Sequence, residues 1–163
     1  MIIIPIILLT ILGVSNTEYS NAHSFGLISG IGTLIYCYFE EIGWRGYLHD
    51  ELGDIKEWKR VLVIGFLWYL WHLSFIDNHN LLSNLVFFAI LIIGSWGLGK
   101  VIETTKSIFS VTAFHMIINI MFLNGFISNG LDTTNKLIIL GISVFLWVLI
   151  IIKWDKENKM IQA

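Results

Sequence analysis

Phe39-Glu40-Glu41-Ile42-Gly43-Trp44-Arg45-Gly46-Tyr47-Leu48 sets two carboxylates and a guanidinium among aromatic and aliphatic side chains. The residues just upstream, 27–39, hold no charge at all. Charges placed this way are costly near hydrocarbon and face a protein interior or a wet cavity. On a helix, Glu41 and Arg45 stand four apart and pair. Glu40 lies about 100° further round and is left outside that pair. One carboxylate held by an arginine beside one left free is the arrangement of a poised base.

Working outward, the composition sets the class. Of 163 residues, 56% are hydrophobic and 13% charged, with a mean hydropathy of +0.77. Soluble domains average about 25% charged residues. The expected fold is all-α, a polytopic integral membrane helical bundle of about six transmembrane helices forming a single membrane domain over residues 1–163. The net charge of −2 is uninformative about nucleic acid, and no basic run supports such a partner, so none is expected. Membrane lipid is the surrounding. The one cysteine, Cys37, makes no intrachain disulfide and reads as a small buried hydrophobe.

Hydropathy divides the chain into spans at residues 1–13, 24–48, 61–76, 81–99, 108–127 and 137–152. The first has no Lys or Arg ahead of it and no small-residue cleavage site, so it is read as a short helix rather than a secretory signal. At about 20 Å it falls short of the roughly 30 Å hydrocarbon core, which suggests a tilted helix or a truncated amino end. A polar loop with Asn16, Glu18 and Asn21 follows it. Gly26, Gly30 and Gly32 in the second span are small residues that admit a close neighbour. Residues 49–60 read as a loop plus a short surface helix, 77–80 as a tight turn, 100–107 and 128–136 as loops, and 153–163 as a charged, frayed tail.

Charge orients these spans. One set of connections holds Lys56, Lys59, Arg60, Lys100, Lys106, Lys153, Lys156 and Lys159, and the opposite set holds Lys136 alone. The positive-inside rule then puts both termini in the cytoplasm. Depth follows. Glu40 lies about 12 Å in from the cytoplasmic end of its span, His72 about 17 Å, His115 about 11 Å and Asn119 about 17 Å. A carboxylate, two imidazoles and an amide at similar depths on three helices predict one buried polar site. His115, Asn119 and Thr112 share a helical face, and Met116, Ile117 and Ile120 look like lipid or packing residues. Trp68 stands one turn before His72.

These groups suit amide hydrolysis. A glutamate in an apolar pocket takes a proton from water, a histidine shares or orients that water, and a second histidine with an amide donates to an oxyanion. A second assembly is zinc held by Glu40, His72 and His115 with a metal-bound water as nucleophile. No His-Glu-x-x-His occurs, so the sequence does not demand a metal.

Glu40-Glu41-x-x-x-Arg45, an aromatic-x-x-x-His ending at His72, and His115-x-x-x-Asn119 occur in that order on successive helices. Together they resemble the CPBP family, which takes in CAAX-type prenyl endopeptidases and bacteriocin-processing or immunity membrane proteins (Abi). The resemblance covers about residues 25–125. It implies an intramembrane protease acting on a peptide or lipidated peptide, with catalytic residues Glu40, Glu41, Arg45, His72, His115 and Asn119. Glu40 is then the water-activating base and Asn119 an oxyanion donor. Members are commonly labelled metalloproteases, and a metal-free glutamate mechanism has also been argued, so the resemblance leaves the cofactor open. The chain departs from the pattern in two places. Trp68 stands where the family has phenylalanine, and only 39 residues precede the first motif. The small size favours a bacterial cell membrane.

Plainer readings run alongside. Glu41 with Arg45 is a structural ion pair, and His115 with Asn119 an interhelical hydrogen-bond pair of about 0.6 kcal/mol. His23, His49 and His79 are solvated, and Tyr47, Trp147 and Trp154 are interface anchors. The alternatives to a protease are a non-catalytic bacteriocin immunity protein and a proton-linked carrier. The absence of a visible repeat or a broken-helix pair weighs against the carrier.

Overall fold

A computed structural model describes residues 1–17, 21–72 and 80–162, and of residues 151 and 154–162 the backbone alone. Among the described residues all regular structure is helical. In chain order these are α1 (Ile3–Leu12), α2 (Ala22–Glu41), a π-helical stretch (Ile42–Leu48), α3 (His49–Glu51), α4 (Glu57–Trp71), α5 (Leu81–Thr105), α6 (Ile108–Ile118), a second π-helical stretch (Asn119–Leu123), α7 (Gly125–Ser128) and α8 (Thr133–Gln162). Ala22–Glu51, Leu81–Thr105 and Thr133–Ile150 are long and apolar enough to cross a membrane. Ile3–Leu12 and Ile108–Leu123 are shorter apolar helices. The all-α membrane class expected from composition holds.

The chain forms two compact units, one of residues 1–37 and 112–163, the other of residues 38–111. The first is held by apolar packing. Leu9, Cys37, Met116, Ile120, Ile127, Ile139 and Trp147 are buried in one cluster. Gly26 explains how α1 and α2 come so close: a Cβ there would lie 2.2 Å from the carbonyl oxygen of Leu9. Gly30 faces Ile6 in the same seam, whereas a Cβ on Gly32 would meet nothing, so only two of the three expected small residues mark the contact. Where α1 ends, Gly13 takes φ 76°, a conformation that glycine adopts without penalty. Ser15 N–H then donates to the Gly130 carbonyl at 2.9 Å. Trp147 is not an interface anchor. Its ring packs on Phe114 at 4.8 Å and its indole N–H donates to the Met1 carbonyl at 3.1 Å.

In the second unit α4 packs along α5. Gly65 lets them approach, since a Cβ there would lie 3.0 Å from the Cα of Ile92. Asn80 caps α5 by accepting from Ser83 N–H at 3.0 Å. The charged residues expected in a loop at 100–105 are helical instead, and those expected in a loop plus a short surface helix at 57–60 join the long helix that follows. Residues 57–60 form the first turn of α4, and α5 runs through Lys100 to Thr105. The reason is an ion network. Lys100 meets Glu57 at 2.9 Å and Glu103 at 3.0 Å, and Arg60 pairs with Glu103. His49 is buried against Gly99, with its Nε2 3.5 Å from Glu103, so it is not the solvated loop residue expected. The charged tail likewise continues α8 to Gln162. Glu18, the expected end of the third span at residues 73–76, and Asp77, Asn78 and His79 of the expected turn lie outside the described residues. So does the Trp154 side chain.

Candidate active site

Glu40 and Glu41 close α2, where the backbone widens into the π-helical stretch that carries Arg45. A π-helix closes i→i+5 hydrogen bonds and occurs mostly in short stretches, often at functional sites. At its end the His49 N–H reaches the carbonyl of Trp44, five residues back. Across this joint Glu41 and Arg45 pair at 2.9 Å with both side chains wholly buried, as their spacing predicts. The guanidinium also lies 4.4 Å from the ring of Trp68. A planar, weakly hydrated cation suits an aromatic face, and desolvation strengthens the attraction.

Glu40 is not free. Its Oε2 accepts the indole N–H of Trp68 at 3.2 Å and its Oε1 that of Trp71 at 2.8 Å. The sequence places Trp68 only as the aromatic residue one turn before His72, and no motif gives Trp71 a role. The available signal was chemical: an indole N–H in an apolar setting needs an acceptor, and Trp68 and Trp71 share a face of α4 three residues apart.

His72 stands at the C-cap of α4 rather than within a helix, its own N–H donating to the carbonyls of Trp68 and Tyr69. Its ring lies edge-on to Trp68 and to Phe87 of α5, both at 5.9 Å. Nδ1 is 2.9 Å from the Trp68 carbonyl. That oxygen only accepts, so neutral His72 carries its proton on Nδ1 and its lone pair on Nε2. Trp68 thus touches all of this unit's polar motifs: the base through its N–H, Arg45 through its ring, and His72 through its edge and carbonyl.

The first unit carries His115 and Asn119. Both are buried, as is Thr112. Asn119 opens the second π-helical stretch, where its carbonyl accepts the Asn124 N–H at 2.8 Å. Its side-chain amide donates to Cys37 Sγ at 3.4 Å, a contact that the sequence reading missed. Nearby, Asn124 donates to the Thr33 hydroxyl at 2.9 Å, tying α2 to the end of that stretch. Met116, Ile117 and Ile120 pack in the core.

Of the zinc set expected from sequence, Glu40 and His72 belong to the second unit and His115 to the first. Among the described residues no group of three His, Cys, Asp or Glu side chains is assembled to hold a metal ion. The second unit offers Glu40 and the Nε2 of His72, two donors against the three protein ligands of a catalytic zinc.

Comparison with known proteins bears on what these groups do. A relative called CAAX prenyl protease 2, from Methanococcus maripaludis, is 33% identical over 99 residues, covering 53% of this chain and 36% of the relative. The chain thus spans about a third of the length of the curated relative it matches. No solved structure matches. The family model described as type II CAAX prenyl endopeptidase Rce1-like matches residues 22–121, which takes in Glu40, Glu41, Arg45, His72, His115 and Asn119. The chain belongs to that Rce1-like family of membrane proteins.

Proposed function

We propose that this protein is an intramembrane endopeptidase that hydrolyses a peptide bond in a peptide or lipidated peptide, using water activated by Glu40. The observation that carries the reading is the buried Glu40 carboxylate, oriented by two indole donors beside an arginine-held glutamate, within the segment that the family model covers. In this reading a carboxylate oxygen of Glu40 takes a proton from water. The nascent hydroxide adds to the scissile carbonyl carbon, and the proton passes to the departing amine as the C–N bond breaks. His72 accepts a second hydrogen bond from the same water at Nε2. Glu41 and Arg45 hold the end of α2 in shape. His115 and Asn119 are assigned, on their motif, to donate to the tetrahedral oxyanion. Both termini are assigned to the cytoplasm from the distribution of Lys and Arg, with substrate presented from that side.

The test is turnover of a fluorogenic peptide library, farnesylated members included, by purified protein in lipid. Wild type, Glu40→Ala and His115→Ala are compared with and without chelator. Cleavage by wild type and loss in both variants is the expected result, and the chelator lane reads the metal requirement. Undiminished cleavage by Glu40→Ala sinks the assignment of the base.

A further inference from the structure

Trp71 combines two properties that seldom go together. It ends α4 with 63% of its surface exposed, yet its indole N–H is directed to Glu40 Oε1 at 2.8 Å. Trp68, buried and three residues earlier on the same face, holds the other oxygen at 3.2 Å. A carboxylate has about four lone-pair sites. With one donor, the group still swivels about the bond that carries it. With a donor on each oxygen its plane is set. The ring of Trp44, from the π-helical stretch, meets Trp71 nearly edge-on at 6.4 Å and steadies it.

We propose that Trp71 is a positioning residue: its indole N–H, with that of Trp68, clamps the Glu40 carboxylate in the one plane from which it takes a proton from water. This rests on Glu40 being the base. It goes beyond that reading because the motifs give position 71 no role. Trp71 is also the separable arm of the clamp. Trp68 carries Arg45 and His72 as well, so its loss disturbs several contacts at once. Trp71 stands at the surface, and its N–H is removable without opening the core.

The consequence is kinetic. Misplacing a reacting group by about 1 Å costs on the order of 100-fold in rate. Losing one of two donors therefore lowers kcat about 10- to 100-fold while KM stays within about twofold. The cleanest variant replaces Trp71 with 3-benzothienylalanine, which keeps the fused ring and lacks only the N–H. Replacement by 7-azatryptophan keeps the N–H and retains activity. Trp71→Phe serves where such incorporation is poor.

A second readout sees the bond itself. In 15N-indole-labelled protein in bicelles, the Trp71 signal is identified by its loss in Trp71→Phe. It is expected to move when Glu40→Gln replaces the charged acceptor with an amide, while the Trp147 signal, bonded to the Met1 carbonyl, stays as the internal reference. An unmoved Trp71 signal overturns the clamp. So does full kcat in the benzothienyl variant when Glu40→Ala is dead. Full turnover by Glu40→Ala, with the Trp71 signal still responding to Glu40→Gln, removes instead the catalytic reading on which the proposal rests.

Discussion

After Glu41, and again after Ile118, α-helix passes into π-helix, and candidate catalytic groups stand at both joints. The joint in the second unit is charged and firmly tied. Glu41 has Arg45 at 2.9 Å, Glu40 has two indole donors, and Arg45 has the face of Trp68. The joint in the first unit opens instead on an amide, that of Asn119, which reaches a thiol at 3.4 Å. Physical chemistry asks for this difference. A charge taken out of water needs a counter-charge or strong donors close by, whereas a neutral amide tolerates a weak partner. The weak tie also suits the role proposed for Asn119, because an N–H held by sulfur is readily surrendered to an oxyanion.

The contrast breaks first at Arg45. Arg45→Leu leaves the Glu41 carboxylate buried without its cation, which costs about 3–5 kcal/mol. Thermal unfolding in lipid should show the loss, and Glu41→Gln combined with Arg45→Met should recover most of it. Wild-type melting of Arg45→Leu would mean that the charged joint does not hold the helix end.

The first unit relies on close apolar packing, so its weak point is a glycine. Gly26→Ala drives a methyl group into the backbone of Leu9 and costs about 1–3 kcal/mol. Gly32→Ala, six residues along the same helix, meets open space and leaves the melting temperature unchanged or slightly raised by alanine's helix preference. Equal effects at the two positions would refute the packing seam.

Cys37 sharpens the comparison further. Cys37→Ala removes a buried sulfur from the core and takes this acceptor from the Asn119 amide, which costs about 1–3 kcal/mol. Cys37→Ser offers a stronger acceptor, holds the Asn119 amide more tightly, and slows cleavage without destabilising the fold. Cleavage rates and melting of the two variants, measured together, read this out, and faster turnover by Cys37→Ser contradicts it.

The smallest effect belongs to the ion network of the second unit. The hydrogen bond from Lys100 holds the Glu57 carboxyl below its usual range. A carboxyl depressed in the folded state stabilises above its unfolded pKa, and that contribution fades as pH falls through the folded value. The pair is half exposed and solvent-screened. Glu57→Gln is therefore expected to cost a little stability near neutrality, where the contribution is present, and none in acid below the folded pKa, which slightly flattens the acid limb of a stability-versus-pH curve. A large loss at neutral pH would show that this network matters more than its exposure allows.

Much of this was legible without coordinates because it is local. A run of apolar residues specifies a membrane helix by its length. Glu41 and Arg45 meet because four residues make about one helical turn. His115 and Asn119 share a face by the same rule, and family membership followed from three motifs in order. Tertiary structure alone decided which donors hold Glu40, from 28 and 31 residues away, and that Asn119 reaches Cys37 across 82. It also set the π-helical joints, the end of α4 at Trp71, and the burial of His49 and Trp147. Periodicity places a side chain on a helix face, but its partner is chosen by which neighbouring helix packs there, at what register and distance.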